Sequence, residues 1–209
     1  MESLQPRRTG RPLSFDRDAA LQAAMLLFWR HGYESTSLSD LTAAMGVTPP
    51  SIYAAFGDKR RLFLEAVDRY LSGPVTSASI ISEAASARDA ADGLLRASAH
   101  GFTGENTPPG CLLASSAISC SASAVDVQRE LASIRLGIEA KLRDRIVAAI
   151  ESGELPAEAD AAALAAHVMA VIQGMSTLAR DGASRDKLLR IAATAMQAWP
   201  VRTQPAAAR

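Results

Sequence analysis

Residues able to do chemistry are spread thinly along this chain. Four of the five histidines and cysteines could be imagined as a metal set: His100, Cys111, Cys120 and His167. Their spacings fit none of the compact Cys and His patterns of metal sites, so neither a metal nor a cofactor is expected. Catalysis finds no better footing. The sequence has no glycine loop to cradle phosphates, no H-E-x-x-H pair and no nucleophile–base constellation, so no enzyme is expected. Cys111 follows Pro108-Pro109-Gly110 and precedes Leu112-Leu113-Ala114, which can start a helix. A thiol there would meet unpaired N–H groups and the positive end of the dipole, favouring the thiolate. The competing reading is a small buried hydrophobe under the loop. On one continuous helix Cys120 would lie roughly 13 Å away at 1.5 Å per residue, beyond disulfide reach.

The elements that hold these residues follow from composition and punctuation. The 209 residues are 48% apolar and 21% charged, with 22 basic and 22 acidic side chains and no net charge. That balance excludes a disordered chain and gives no global field toward nucleic acid. Alanine supplies 42 residues and aromatics only 5%, a composition for helices rather than strands, so the expected fold is all-α. The apolar stretch Ala19 to Trp29 is broken by Gln22 and falls short of the ~20 residues of a membrane span. Arg7, Arg8 and Arg11 are followed by no apolar segment and cleavage site, and two cysteines make no disulfide framework. A cytoplasmic protein is expected.

Residues 1–13, with Pro6, Gly10 and Pro12, read as a basic arm. A first helix is predicted from Phe15 to His31, with Asp16 or Ser14 as N-cap, a stripe of Leu21, Ala24, Met25 and Phe28, and Gly32 as a left-handed C-cap. Ser37 caps a predicted helix Leu38–Met45 that Gly46 ends. Gly46-Val47-Thr48 then lead into a helix starting Pro49-Pro50, where Thr48 suits the N-cap and proline's missing N–H costs nothing. Asp58 caps a further helix to about Leu71, burying Leu62, Phe63, Ala66, Val67 and Tyr70. Two short helices joined by a three-residue glycine turn have helix-turn-helix spacing. Later helices are predicted at 75–86, 87–103, 111–121, 124–152, 157–181 and 184–199, with a tail beyond Pro200.

The stretch from Phe15 to Tyr70 resembles the DNA-binding domain of the tetracycline-repressor (TetR) family. The resemblance runs through Ala24 and Leu27-Phe28, Gly32-Tyr33-Glu34-Ser35-Thr36-Ser37, Leu41-Thr42-Ala43-Ala44-Met45-Gly46-Val47, Ser51-Ile52-Tyr53-Ala54-Ala55-Phe56 and Asp58-Lys59. It implies a three-helix DNA-binding domain at 14–73 and a helical ligand-binding and dimerisation domain at 74–200. It also implies that Thr48, Pro49, Pro50, Ser51, Ala54 and Ala55 enter the major groove, where hydroxyls meet base edges and small apolar groups meet thymine methyls. Tyr53, Lys59 and the helix starts at Ser37 and Asp58 would face phosphates. Ser39 stands where many relatives carry arginine. Arg7, Arg8 and Arg11 would act as flexible phosphate or minor-groove contacts. Residues 1–70 hold nine basic and eight acidic side chains, so placement rather than bulk charge must carry binding.

Beyond the motif, two stripes are candidates for a homodimer interface between the regions 124–152 and 157–181. One is Leu131, Ile134, Ile138, Leu142 and Ile146; the other is Leu164, Val168, Val171, Ile172, Met175 and Leu178. Ala161–Ala166, Ala170 and Gly174 permit close approach, with Ala165 and Val168 expected on the outer face. A small-molecule cavity is expected among the middle helices, with His100, Phe102, Cys111, Leu113, Ser116, His167 and Met169 as candidate lining. The expected function is a ligand-responsive repressor binding a palindromic operator as a dimer. The alternatives are a helical ligand-binding or interaction protein without DNA binding, and an enzyme on a helical bundle.

Overall fold

Ten α-helices and two single 3-10 turns make up the regular structure among residues 15–117 and 121–200, the residues described by a computed structural model. No strand occurs among them. Arg7, Arg8, Arg11, Cys120 and the tail after Pro200 lie outside the described residues.

The first four helices are α1 (Arg17–His31), α2 (Leu38–Met45), α3 (Pro49–Phe56) and α4 (Lys59–Leu71). Their starts are chemical. The Asp16 carboxylate accepts from the Asp18 and Ala19 amides at 2.9 and 3.1 Å. Ser37 and Asp40 form a reciprocal capping box on α2, and Asp58 accepts from the Arg61 amide at 2.7 Å. Gly46 has φ +66° and ψ 30°, the left-handed conformation that turns the chain between α2 and α3 within three residues. Gly32 departs from expectation. Its φ is +84° but its ψ is 169°, because the next amide, Tyr33 N–H, donates to the distant Ser116 carbonyl at 2.8 Å instead of turning back on α1. Thr48 occupies the N-cap of α3, yet its hydroxyl meets Ser51 Oγ at 2.9 Å rather than a backbone amide.

Behind these helices Phe28 and Phe63 are wholly buried and meet edge to face at 5.0 Å, with Tyr33 tilted against Phe63 at 5.0 Å. Leu41, Ile52 and Phe56 close the same core. Truncating a buried Phe here would cost about 3–5 kcal/mol.

The larger part contains α5 (Ser77–Glu83), α6 (Ala87–Gly101), α7 (Leu112–Ser115), α8 (Val125–Glu151), α9 (Ala161–Arg180) and α10 (Arg185–Ala195). Caps at Thr76, Ser86, Asp160 and Ser184 set most of the starts. Asp160 begins α9 four residues later than 157, and α10 gives way to a 3-10 turn at Met196–Ala198. The largest correction is α7: the helix expected over 111–121 is one turn. The Ser116 carbonyl is taken by Tyr33 N–H, and the Ser115 and Ser116 hydroxyls bond back to the Cys111 and Leu112 carbonyls.

The stripes of the late helices also sort differently from expectation. Leu131, Leu142, Ile146, Ala165, Val168 and Met175 are buried within one chain, so Ala165 and Val168 do not face outward. Ile134, Ile138, Leu164, Val171, Ile172 and Leu178 are half-buried against that core. The outward side of α9 carries Ala163, Ala166, His167, Ala170, Gly174 and Thr177 instead. By length and composition α9 could cross a membrane. Here one side packs on α6, α7, α8 and α10, and the other presents small residues suited to close helix approach.

Candidate nucleic-acid interface and internal cavity

The chain around α3 divides its side chains sharply. Ile52 and Phe56, four residues apart, point into the core, while Thr48, Pro49, Pro50, Tyr53 and Ala54 face outward and Ser51 and Ala55 lie between. Tyr53 is 51% exposed, far more than packing would leave a tyrosine, so its ring and hydroxyl are free for a partner. Arg17 fixes the far end of α3. Its guanidinium donates to the Ala55 carbonyl at 3.3 Å and to Glu65 at 2.6 Å, and stands 4.4 Å over the Phe56 ring. The outward face is thus held by α1 and α4 before any partner arrives.

Flanking groups complete this surface. Ser37 and Ser39 are exposed on α2, and the Asp40 carboxyl is held below its usual range by bonds from the Ser37 hydroxyl and amide. Lys59, at the start of α4, places its ammonium 4.5 Å over the Tyr33 ring, and partial burial lowers its pKa. Arg60 and Arg61 beside it are exposed. Sequence reasoning passed over these two arginines, although the run Lys59-Arg60-Arg61 was the available signal.

A second feature lies between the two parts. A cavity of about 270 Å³ is walled by Trp29, Tyr70 and Leu71 from the first four helices. Val75, Ile80, Leu94, Ala97, Phe102, Leu113, Ile138, Met169 and Ile172 continue the apolar wall. Its polar groups include Ser98, Cys111, Arg135 and Gln173. Of the candidates read from sequence, Phe102, Cys111, Leu113 and Met169 line it. His100 is exposed on α6, His167 is exposed on α9, and Ser116 is buried with its hydroxyl on the Leu112 carbonyl; none of the three reaches the cavity. Tyr70, read as core, and Arg135 were missed because helical spacing alone cannot show that a face borders a void.

Cys111 is buried, and its Sγ accepts from the Tyr70 hydroxyl at 3.4 Å. Burial raises the pKa of the thiol and raises that of Tyr70 well above the usual value. Of the two readings of Cys111 the buried hydrophobe is the one supported: α7 has too few turns for much dipole, and desolvation outweighs its amides.

Residues 110–116 form a strap between cavity and α1. On one side Cys111, Leu113 and Ala114 line the void. On the other, the Gly110 carbonyl accepts from Trp29 Nε1 at 3.0 Å, and the Ser116 carbonyl accepts from Tyr33. Arg180 binds across the junction, donating to Ser115 Oγ at 3.1 Å and to the Trp29 and Arg30 carbonyls at 3.2 and 2.9 Å. Gly110 has φ +81°, and a Cβ there would come within 2.8 Å of the Ser176 carbonyl, so the close approach requires glycine.

Comparison with known proteins adds three findings. Residues 20–66 match the model of bacterial regulatory proteins of the tetR family, and residues 87–197 match that of tetracyclin repressor-like C-terminal domains. The HTH-type transcriptional repressor ComR of Escherichia coli is 40% identical over 193 residues, spanning 91% of this chain and 92% of ComR. The repressor BdcR of the same organism is 40% identical over 67 residues, 32% of this chain and 34% of BdcR. Among solved structures, a cysteine-substituted form of the TetR family transcriptional regulator CifR, complexed with 26-base-pair operator DNA, matches with TM-score 0.86 at 39% identity. That match covers 91% of this chain and all of that one. A TetR regulator from Rhodococcus sp. RHA1 matches with TM-score 0.60 at 38% identity, over 90% of this chain and all of the other.

Proposed function

The chain belongs to the tetracycline-repressor family of bacterial regulatory proteins, and on that premise we propose that α3 reads operator DNA under the control of a small molecule held in the cavity. The protein is a DNA-binding transcriptional repressor that acts as a homodimer on double-stranded operator DNA. A two-fold dimer presents two identical reading helices, so its operator is an approximate palindrome. Thr48, Ser51, Ala54 and Ala55 face base edges, with Pro49 and Pro50 setting how close the helix comes. Tyr53, Lys59 and the first-turn N–H groups of α2 and α4, near Ser37 and Asp58, hold phosphates, Ser39 adds a hydroxyl, and Arg7, Arg8 and Arg11 contact phosphates or the minor groove. Residues 14–73 carry DNA binding and 74–200 carry ligand response and dimerisation. The chain binds rather than catalyses, and works in the cytoplasm.

For the second copy, α9 supplies its small outward residues, and a groove lined by His167, Val171, Ile191, Thr194 and Ala195 continues that surface onto α10. A molecule filling the cavity presses on Tyr70 of α4 and on the strap that anchors α1. It favours a form in which the two α3 helices no longer match successive major grooves.

The observation that carries this reading is the exposed face of α3, held from behind by Ile52, Phe56 and Arg17. The test is a mobility shift with the DNA just upstream of the protein's own gene. Retardation that Thr48→Ala with Ser51→Ala redirects to other sequences supports the assignment; no retardation of any upstream fragment refutes it.

A further inference from the structure

Among the described residues, Arg135 is the only charged one lining the cavity, and no carboxylate balances it there. It makes no ion pair among the described residues. Among the described residues its one hydrogen bond runs from Nη1 to the Leu113 carbonyl at 2.5 Å. The Nε and Nη2 edge of the guanidinium, the edge that takes a carboxylate side-on through two parallel bonds, has no partner among the described residues. The guanidinium is half-buried, so a guest carboxylate can pair with its open edge, whereas a cationic guest would meet like charge.

The remaining walls define the rest of the guest. Trp29, Phe102, Leu94 and Ile138 offer a flat or aliphatic body apolar contact. A cavity of about 150 Å³ holds benzene, so about 270 Å³ holds a ring or short chain with a polar arm. A phosphate would want several cations or a nest of amides, and the wall offers one guanidinium. We infer that the cavity selects small apolar monocarboxylates, with the carboxylate on Arg135 and the body against Trp29 and Phe102. This rests on the reading of the cavity as the effector site. The carboxylate reaches a side chain that already holds the strap, through Leu113, so occupancy is felt where the strap meets α1.

The test uses the full-length dimer and matched probes: phenylacetate and hexanoate, their amides phenylacetamide and hexanamide, and the amine phenethylamine. Calorimetry should show each acid binding about tenfold or more tightly than its amide, with the amine weakest, because a charge-assisted pair replaces a neutral bond. Arg135→Gln keeps an N–H for the Leu113 carbonyl and should equalise acid and amide, while Arg135→Lys should restore part of the preference. Amides binding as well as acids, no binding of either acid up to millimolar concentration, or a preference surviving in Arg135→Gln would overturn the inference. Operator release, followed by mobility shift on the same samples, separates the two levels. Acids that bind through Arg135 without releasing DNA would leave the ligand class standing and remove the effector reading. Amides that both bind and release DNA would do the reverse.

Discussion

Replacing Lys59 with methionine removes one charge and keeps most of the side-chain volume. In the free protein the ammonium lies 4.5 Å over the Tyr33 ring at the start of α4, so two losses can be worked out separately. The first is folding stability: a cation–π contact of this kind contributes about 0.5–1 kcal/mol. For a chain of this length that lowers Tm by roughly 1–4 °C. The second is DNA binding. Each phosphate neutralised contributes about 0.9 to the slope of log affinity against log salt, and a dimer carries two copies, so the slope should flatten by roughly 1.8. Affinity should fall by similar factors for operator and for scrambled DNA, because a phosphate contact carries no sequence information. Fluorescence anisotropy across a salt series, with both duplexes, measures all of this. A variant with the parent's salt slope but altered operator preference would show that Lys59 stays on Tyr33 and that the phosphate assignment is wrong.

Other substitutions probe the remaining assignments. Ala165→Glu puts an unpaired charge in a wholly buried site and should unfold the chain, whereas Ala170→Glu on the outward side of α9 should leave helicity intact and give monomers by sedimentation. If Ala170→Glu remains dimeric, α9 is not the interface. The Asp40 carboxylate has a lowered pKa, so its cap on α2 is fully present above the usual carboxylate range and is lost as pH falls through the lowered value. In acid titrations Asp40→Asn should start less stable and then converge with the parent at low pH; parallel curves would contradict the cap. Cys111 titrates above a free thiol because it is buried, so its alkylation rate should keep climbing at pH values where an exposed cysteine has levelled off. A plateau below the free-thiol range would restore the competing thiolate reading.

The first four helices were legible in the sequence because their signals are local. Ser37, Gly46, Pro49 and Asp58 each set a boundary through bonds or backbone angles within a few residues, and α2 emerged with the predicted ends. The face of α3 was legible too, since Ile52 and Phe56 are its large apolar residues and leave the opposite side to a partner. The later helices gave no such answer. In α9, alanine occurs on every side, so spacing could not tell core from surface, and Ala165 and Val168 were assigned outward although neighbouring helices bury them. The strap and cavity were decided by groups distant in the chain. Tyr33 captures the Ser116 carbonyl and stops α7 after one turn, Trp29 and Arg180 pin that segment to α1, and Arg135 is left at the wall without a counter-charge among the described residues. Local bonds and backbone preferences are written in neighbouring residues, whereas a void and its unpaired charge exist only once separate helices have packed around it.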